Sequence, residues 1–232
     1  MIGAIFFFLR SKDPQGLAAG APPVVIVTVL DSATFSKWYI DDIKENRIVY
    51  AKRHGEITSK STFPFDSHYN MIRLLTFPGY ETFFPEASSY ELNGAPKSWA
   101  KVPAMRHALT LWPYSTYFWH LDQTALIMNP DLTIDSIMAP KRMEKLMIKD
   151  QPIVPPDSVI KTFTHLHGDQ IDFALTQDAA GLAPGSFILR RGDWAIFFLD
   201  TWFDPLYRSY NFQKADTHAL VRASYRSSEK SS

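Results

Sequence analysis

Asp122 closes an aromatic, apolar run, Tyr117-Phe118-Trp119-His120-Leu121, that resumes as Ala125-Leu126-Ile127-Met128 before Asn129 and Pro130. A carboxylate at that place is either a cap for the following loop or a hydrogen-bond acceptor held at the mouth of a site. A second set sits in TQDAAGLAPGSFILR, residues 176–190, where Gln177 and Asp178 stand near Gly181 and Gly185. Two glycines beside an amide and a carboxylate let a backbone come close to a polar ligand. Lys101 and Arg106 fall at or near the start of a helix, and on spacing alone they read best as a solvated basic face. His165 and His167 lie on one face of an extended segment with Asp169 behind them, the ligand types of a metal-dependent hydrolase. A His-x-His pair without a third ligand at a known spacing is more often hydrogen-bonded or solvated.

Positioning these groups requires a sheet. PPVVIVTVLDS, residues 22–32, is apolar and β-branched between prolines and an Asp-Ser turn, the pattern of a fully buried strand of the parallel kind. Phe35 to about Arg53 lacks alternation and reads as a helix ended by His54-Gly55. Residues 56–97 read as a short strand, a helix around Tyr69–Leu75 and a long loop from Pro78 to Lys97. In SWAKVPAMRHALTLWP, Val102, Met105, Leu109 and Trp112 recur at helical spacing, Ser98 offers a cap and Pro113 a stop. The strand 117–121 then places Asp122 at its carboxyl end, where open α/β sheets keep their ligand crevice, so a site is favoured over a cap. Downstream, a strand, an acidic loop holding Gln177, Asp178, Gly181 and Gly185, a strand at Ser186–Leu189 and a helix capped by Asp193 follow in order. Trp194, Phe197, Phe198, Thr201 and Trp202 form the buried stripe of that helix.

Composition removes several classes of function. The 232 residues suit one α/β domain, and 24 basic against 24 acidic residues leave no global field to draw the chain to nucleic acid. The absence of cysteine excludes disulfides, thiolate zinc sites and cysteine nucleophiles. No G-x-G-x-x-G follows the first buried strand, and neither a P-loop nor a G-x-S-x-G elbow occurs. The apolar start Ile2–Leu9 is too short to span a bilayer, which takes about 20 apolar residues; it reads as the remnant of an anchor, a weak signal core or an artefact of the chain start. A Pro/Gly/Ala linker follows it.

Five segments in order resemble one family: Tyr50–Gly55 (YAKRHG), Ser98–Arg106 (SWAKVPAMR), Trp119–Pro130 (WHLDQTALIMNP), Thr176–Arg190 and Phe198–Tyr207 (FLDTWFDPLY). Together, over about residues 23–220, they resemble the fungal galactosyl- and mannosyltransferases of glycosyltransferase family 34, most of all the α-1,6-mannosyltransferase subunits of the Golgi mannan polymerase. The resemblance implies a GT-A fold, a Rossmann-like mixed sheet flanked by helices, over residues 22–222, with residues 1–21 as apolar start and linker and residues 223–232 as a polar tail. It also implies transfer of mannose from GDP-mannose, or a sugar from another nucleotide sugar, to a glycan acceptor with retention of configuration. Manganese would be held by a D-x-D motif, because a hard dication takes oxygen ligands and offsets charge on the leaving diphosphate.

By the same resemblance Asp122 is the first Asp of that motif and a metal ligand. Lys101 and Arg106 would meet the diphosphate, Gly185 and Ser186 would border the donor, and Gln177, Asp178 and Asp216 would lie at the reacting sugar. Family members are Golgi type II membrane proteins, some of them subunits of mannosyltransferase complexes, whereas this chain carries no full spanning segment. Three positions depart from the pattern: Thr124 where a second Asp is usual, Ala183 for Asn and Thr217 for Gln. The downstream segment with a late His metal ligand is also expected to be missing, and His218 is too close to Asp216 to replace it. Two functions are therefore weighed, an active metal-dependent mannosyltransferase and an impaired or truncated structural subunit of such a complex.

Overall fold

The structure is a computed structural model, described here for residues 3–8, 21–54, 79–152, 161, 164–165, 167–178, 181–209, 215–220 and 223. Its strands are β1 (Gly3–Phe8), β2 (Val24–Val27), β3 (Glu81–Phe83), β4 (Tyr117–Leu121), β5 (Ile171–Asp178) and β6 (Gly181–Arg190). Its α-helices are α1 (Lys37–Arg53), α2 (Lys101–Leu111), α3 (Ile134–Ile137), α4 (Pro140–Leu146), α5 (Asp193–Trp202) and α6 (Pro205–Arg208), followed by a helical segment at 215–220. Among the described residues the strands form one sheet in the order β1-β5-β6-β4-β2-β3. β2 runs parallel to β3 and β4, while β4-β6, β6-β5 and β5-β1 are antiparallel. The α/β class with a mixed sheet flanked by helices is as expected.

Burial on two faces explains the continuous apolar run of β2, whose four residues are all fully buried. Val25, Val27, Phe118, Phe187 and Leu189 point into one core with α2, α5 and the 215–220 segment. Val24, Ile26, Ala174 and Ile188 point into the other, with Tyr50 of α1, Ile134 of α3 and Met143 of α4. The period of two along each strand thus feeds two separate helix layers.

Several expectations are corrected. The apolar start is not set outside the domain: Gly3–Phe8 pairs along β5 from Gly3↔Gln177 to Phe8↔Ile171, covering what would otherwise be an open sheet edge. The acidic loop around Gln177 and Gly185 is instead strand, with Asp178↔Gly181 at the tip of the β5-β6 hairpin. The pairing shifts between Leu175↔Phe187 and Thr176↔Ala183, so Pro184, Gly185 and Ser186 bulge from β5 while Ser186 stays paired with Leu121 of β4. Proline lacks an N–H, and a bulge is where a strand tolerates it. Ser98 caps nothing: it lies inside a 3₁₀ turn, Lys97–Ala100, that begins at Pro96 and leads straight into α2. Gly192, not Asp193, holds the N-cap position of α5, and Asp193 places its charge in the first turn, at the positive end of the helix. The helix expected around Tyr69–Leu75 lies outside the described residues, as do most of the linker and the tail. Among the described residues no helix is long and apolar enough to cross a membrane.

Candidate functional site at the carboxyl ends of the parallel strands

Strand directions gather the candidate residues. β2 and β4 end at Val27 and Leu121, the antiparallel β6 begins beside the end of β4, and β5 ends beside the beginning of β6. The loop Asp31–Ala33, Asp122, Gly185 and the Gln177-Asp178 end of β5 therefore share one end of the sheet. Neighbouring strands stand about 4.8 Å apart, so β4 and β5, separated by β6, are about 10 Å apart.

Asp122 forms a tight turn. Its N–H donates to the Gly185 carbonyl at 2.7 Å, and its Oδ1 accepts from both the backbone N–H and the hydroxyl of Thr124, at 2.9 and 2.8 Å. The turn is held from beneath by Arg47 of α1, a side chain with no exposed surface. Arg47 Nη2 donates to the carbonyls of Asp122 (2.9 Å) and Ala125 (2.5 Å), and Nη1 donates to Asn46 Oδ1 (2.9 Å). Burial lowers the Arg47 pKa to about 10, offset in part by Tyr39 and Asp122, so the guanidinium is charged at neutral pH. The same face of α1 holds the rest of the loop. Asn46 bonds both the N–H and the carbonyl of Ile127, the Tyr50 hydroxyl donates to Leu132 O at 2.6 Å, His54 Nε2 reaches Pro130 O at 2.9 Å and Arg53 pairs with Asp131. Reading from the sequence missed Arg47. The available signal was a cation in a stripe otherwise formed by Ile40, Ile43, Tyr50 and Ala51 at spacings of three and four.

A cavity of about 650 Å³ opens beside this turn, lined among others by Asp31, Ser32, Glu86, Tyr90 and Lys97. Lys97 Nζ donates to both Asp31 oxygens at 2.8 Å, and the Asp31 pKa is lowered by that bond and by the Thr34 hydroxyl. The Asp31 N–H donates to Gln123 Oε1 at 3.0 Å, which ties the cavity wall to the residue after Asp122. The sequence showed only an Asp-Ser turn here, because the facing residues Glu86 and Lys97 come from a loop 54 to 66 positions away.

Lys101 and Asp216 meet each other. Lys101 Nζ donates to Asp216 Oδ2 at 2.5 Å, with side chains only 8% and 5% exposed, and Trp202 Nε1 donates to the Asp216 backbone carbonyl at 2.7 Å. The ammonium is thus turned to a carboxylate and not outward to a diphosphate, and the carboxylate is closed from solvent. Arg106, expected at the diphosphate too, pairs at the surface with Asp200 of α5 at 3.2 Å. Five residues past Lys101, it projects from a different side of the helix. The Ser186 hydroxyl accepts from Trp119 Nε1 at 3.0 Å and braces an aromatic of the α1 layer. A Cβ added at Gly185 would meet Asp122 Cβ at an ordinary 3.6 Å. Gln177 and Asp178 are placed by their backbone at the end of β5.

His120 is a second group the sequence did not single out. It is buried in the α2-α5 layer, its ring tilted against that of Phe187 with centroids 5.0 Å apart, and neither ring nitrogen is hydrogen-bonded. Burial, and then the nearby Lys101 charge, push its pKa down to about 3. Among the described residues His167 joins no cluster that could hold a metal ion. Its side chain caps the 3₁₀ turn Gly168–Gln170, while Gln170 Oε1 accepts from the His167 N–H at 3.0 Å. Among the described residues no three His, Cys, Asp or Glu side chains are grouped to hold a metal ion. With Asp122 Oδ1 occupied by Thr124 and a neutral residue two positions on, the described side chains around Asp122 do not fit the expected manganese ion.

Fold and site together define an α/β protein with a mixed sheet and an open cavity beside the carboxyl ends of its parallel strands. Residues 20–229 match the model of the galactosyl transferase GMA12/MNN10 family, and the chain belongs to that family. Similar curated proteins include an uncharacterized α-1,2-galactosyltransferase of Schizosaccharomyces pombe, 29% identical over 81% of this chain and 45% of that protein. An α-1,2-galactosyltransferase of the same yeast is 26% identical over 78% of this chain and 45% of its own. The probable α-1,6-mannosyltransferase MNN10 of Saccharomyces cerevisiae is 26% identical over 73% and 38%. The chain spans about half the length of the curated relatives it matches. A solved structure of a glycosyltransferase involved in the glycosylation of the major capsid of PBCV-1 matches with a TM-score of 0.47 and 11% identity, over 86% of this chain and 76% of that one.

Proposed function

We propose that the chain is the nucleotide-sugar-binding domain of a Golgi hexosyltransferase that moves mannose from GDP-mannose, or another hexose from its nucleotide, to a glycan with retention of configuration. The observation that carries this is the link between the 650 Å³ cavity and the Asp122 turn through Asp31 N–H and Gln123 Oε1. A cavity rimmed by the carboxylates of Asp31 and Glu86 suits the hydroxyls and N–H groups of a nucleoside, since an ionised carboxylate only accepts hydrogen bonds. Lys97 at its rim supplies the charge for a phosphate. The sugar then reaches towards Asp122, whose Oδ2 is free of the Thr124 bonds, and towards the Gln177-Asp178 end of β5 where the acceptor enters. Backbone approach at Gly185 leaves room beside Asp122. Lys101 and Asp216 support this arrangement from below as a closed pair.

Relatives carry both galactosyl- and mannosyltransferase names, so the donor is a matter for direct comparison. Isothermal titration of the chain with GDP, UDP, GDP-mannose and UDP-galactose tests the reading, together with transfer to an α-mannoside acceptor. Saturable binding of one sugar nucleotide, weakened about tenfold or more by Asp31→Asn, is expected. Absence of binding to all four would refute it. A non-catalytic role in a mannosyltransferase complex is favoured by one observation, the mutual closure of Lys101 and Asp216; binding without transfer would select it.

A further inference from the structure

We propose that the Asp122 turn takes no divalent cation in this chain, and that the crevice binds its nucleotide diphosphate without one, with Lys97 as the cation at its rim. The inference rests on the nucleotide-sugar reading above and concerns how that same site handles charge.

Hydrogen bonds from Thr124 occupy one oxygen of the Asp122 carboxylate and leave Oδ2 as the single carboxylate oxygen that the turn offers a cation. Asp122 Oδ1 accepts two donors from Thr124, so two partial positive charges already face that oxygen. Thr124 spends its hydroxyl hydrogen on Asp122 and brings no formal charge. The carbonyls of Asp122 and Ala125, other oxygens a hard cation could recruit from the turn, each already accept a charged donor from Arg47. Arg47 is buried, cannot swing away into solvent, and leaves a fixed positive charge directly behind the turn. A dication placed at Asp122 would have one carboxylate for it and one guanidinium against it.

Among the described residues Asp122 belongs to no group of three His, Cys, Asp or Glu side chains that could hold a cation. Asp216 is held by Lys101. His120, two residues before Asp122, is sealed in the core against Phe187. The cation lining the cavity is Lys97, with 58% of its side chain exposed and its bonds to Asp31 open to sharing with an arriving phosphate. Asp31 and Glu86 line the cavity beside Lys97, so a diphosphate would meet Lys97 only by sharing its donors with Asp31.

The test uses the chain as it stands and two readouts. Manganese is titrated into the protein without nucleotide and followed by the electron paramagnetic resonance signal of the free aquo ion. GDP and UDP affinities are then measured in EDTA and in excess manganese chloride. The expected results are no stoichiometric loss of the free-ion signal, and nucleotide affinities that differ by less than about threefold between the two conditions. One manganese bound per chain and lost in Asp122→Asn would overturn the proposal, as would nucleotide affinity raised about tenfold or more by the metal. If neither nucleotide binds in either condition, the nucleotide-sugar reading fails and takes with it the metal-free binding mode, while the resonance titration still decides whether the turn holds a cation. Thr124→Asp, checked for folding by circular dichroism, is expected to create stoichiometric manganese binding; a folded variant that stays silent overturns the assignment of the closure to Thr124. Thr124→Val, which removes only the hydroxyl donor, is expected to remain silent, and metal binding by it would overturn the need for a second charge.

Discussion

Arg47 Nη2 lies 2.9 Å from the backbone carbonyl of Asp122, although 75 positions separate the two residues. Through this bond the middle of α1 sets the shape of the turn that closes β4. The bond is to main chain and independent of the Asp122 side chain, so the turn is preorganised whether or not a ligand is bound.

Arg47→Met should therefore destabilise the fold by about 2–4 kcal/mol, since it strips a buried charged donor from two half-buried carbonyls. Arg47→Lys should recover less than half of that, because one ammonium cannot reproduce the fork that spans the Asp122 and Ala125 oxygens. Urea denaturation of the three proteins measures both numbers, and equal stability of Lys and Arg at this position would count against the fork.

For the buried Lys101–Asp216 pair, removing one charge leaves the other uncompensated. Lys101→Met and Asp216→Leu should each cost about 3–5 kcal/mol, whereas the double variant should regain most of the loss by replacing an ion pair with apolar packing. A double-mutant cycle in denaturant reads the coupling. Additive losses would show that the two side chains act separately.

His120 makes stability depend on pH. Its pKa falls from 6.5 to about 3 in the folded chain, so below pH 6.5 the unfolded state binds a proton that the native state refuses. Its contribution to unfolding free energy should decline as pH drops from about 6.5 towards 3, at up to about 1.4 kcal/mol per pH unit. His120→Phe should remove that slope while keeping the contact with Phe187. An unchanged pH dependence in this variant would mean that the imidazole is already protonated in the fold.

Gly168 is required by close approach. A Cβ there would stand 2.0 Å from the Pro140 carbonyl oxygen and 3.0 Å from the Glu144 backbone nitrogen, both main-chain atoms of α4 that have no rotamer to yield. Gly168→Ala should cost about 3 kcal/mol, and more if α4 must shift. Gly185→Ala, whose Cβ finds an ordinary contact, should change stability by less than about 0.5 kcal/mol. Thermal unfolding of the two alanine variants compares them directly; similar midpoints would contradict the packing argument.

Local pattern determined a good part of this protein. Four consecutive buried residues at Val24–Val27 announced a strand covered on both sides, the i, i+3, i+4 stripe of Val102, Met105 and Leu109 announced α2, and five short motifs led to the family. Asp122 was legible as the end of a strand because the hydrophobic run stops there. Periodicity reports which face of an element is buried, but not what lies across from it. The partners of Lys101 and Arg47 are 115 and 75 positions away and follow from how α2 and α1 are laid on the sheet, so neither could be read from neighbouring residues. The glycines at 181 and 185 looked like a loop because their local signal is conformational freedom, yet register with β4 and β5 drew them into a bulged strand. Gly3–Phe8 carried the hydrophobicity of an anchor, and only the unpaired edge of β5 decided that it would be a strand. Burial pattern is local and survives in the order of residues; pairing is set by topology, and the site is made of pairings.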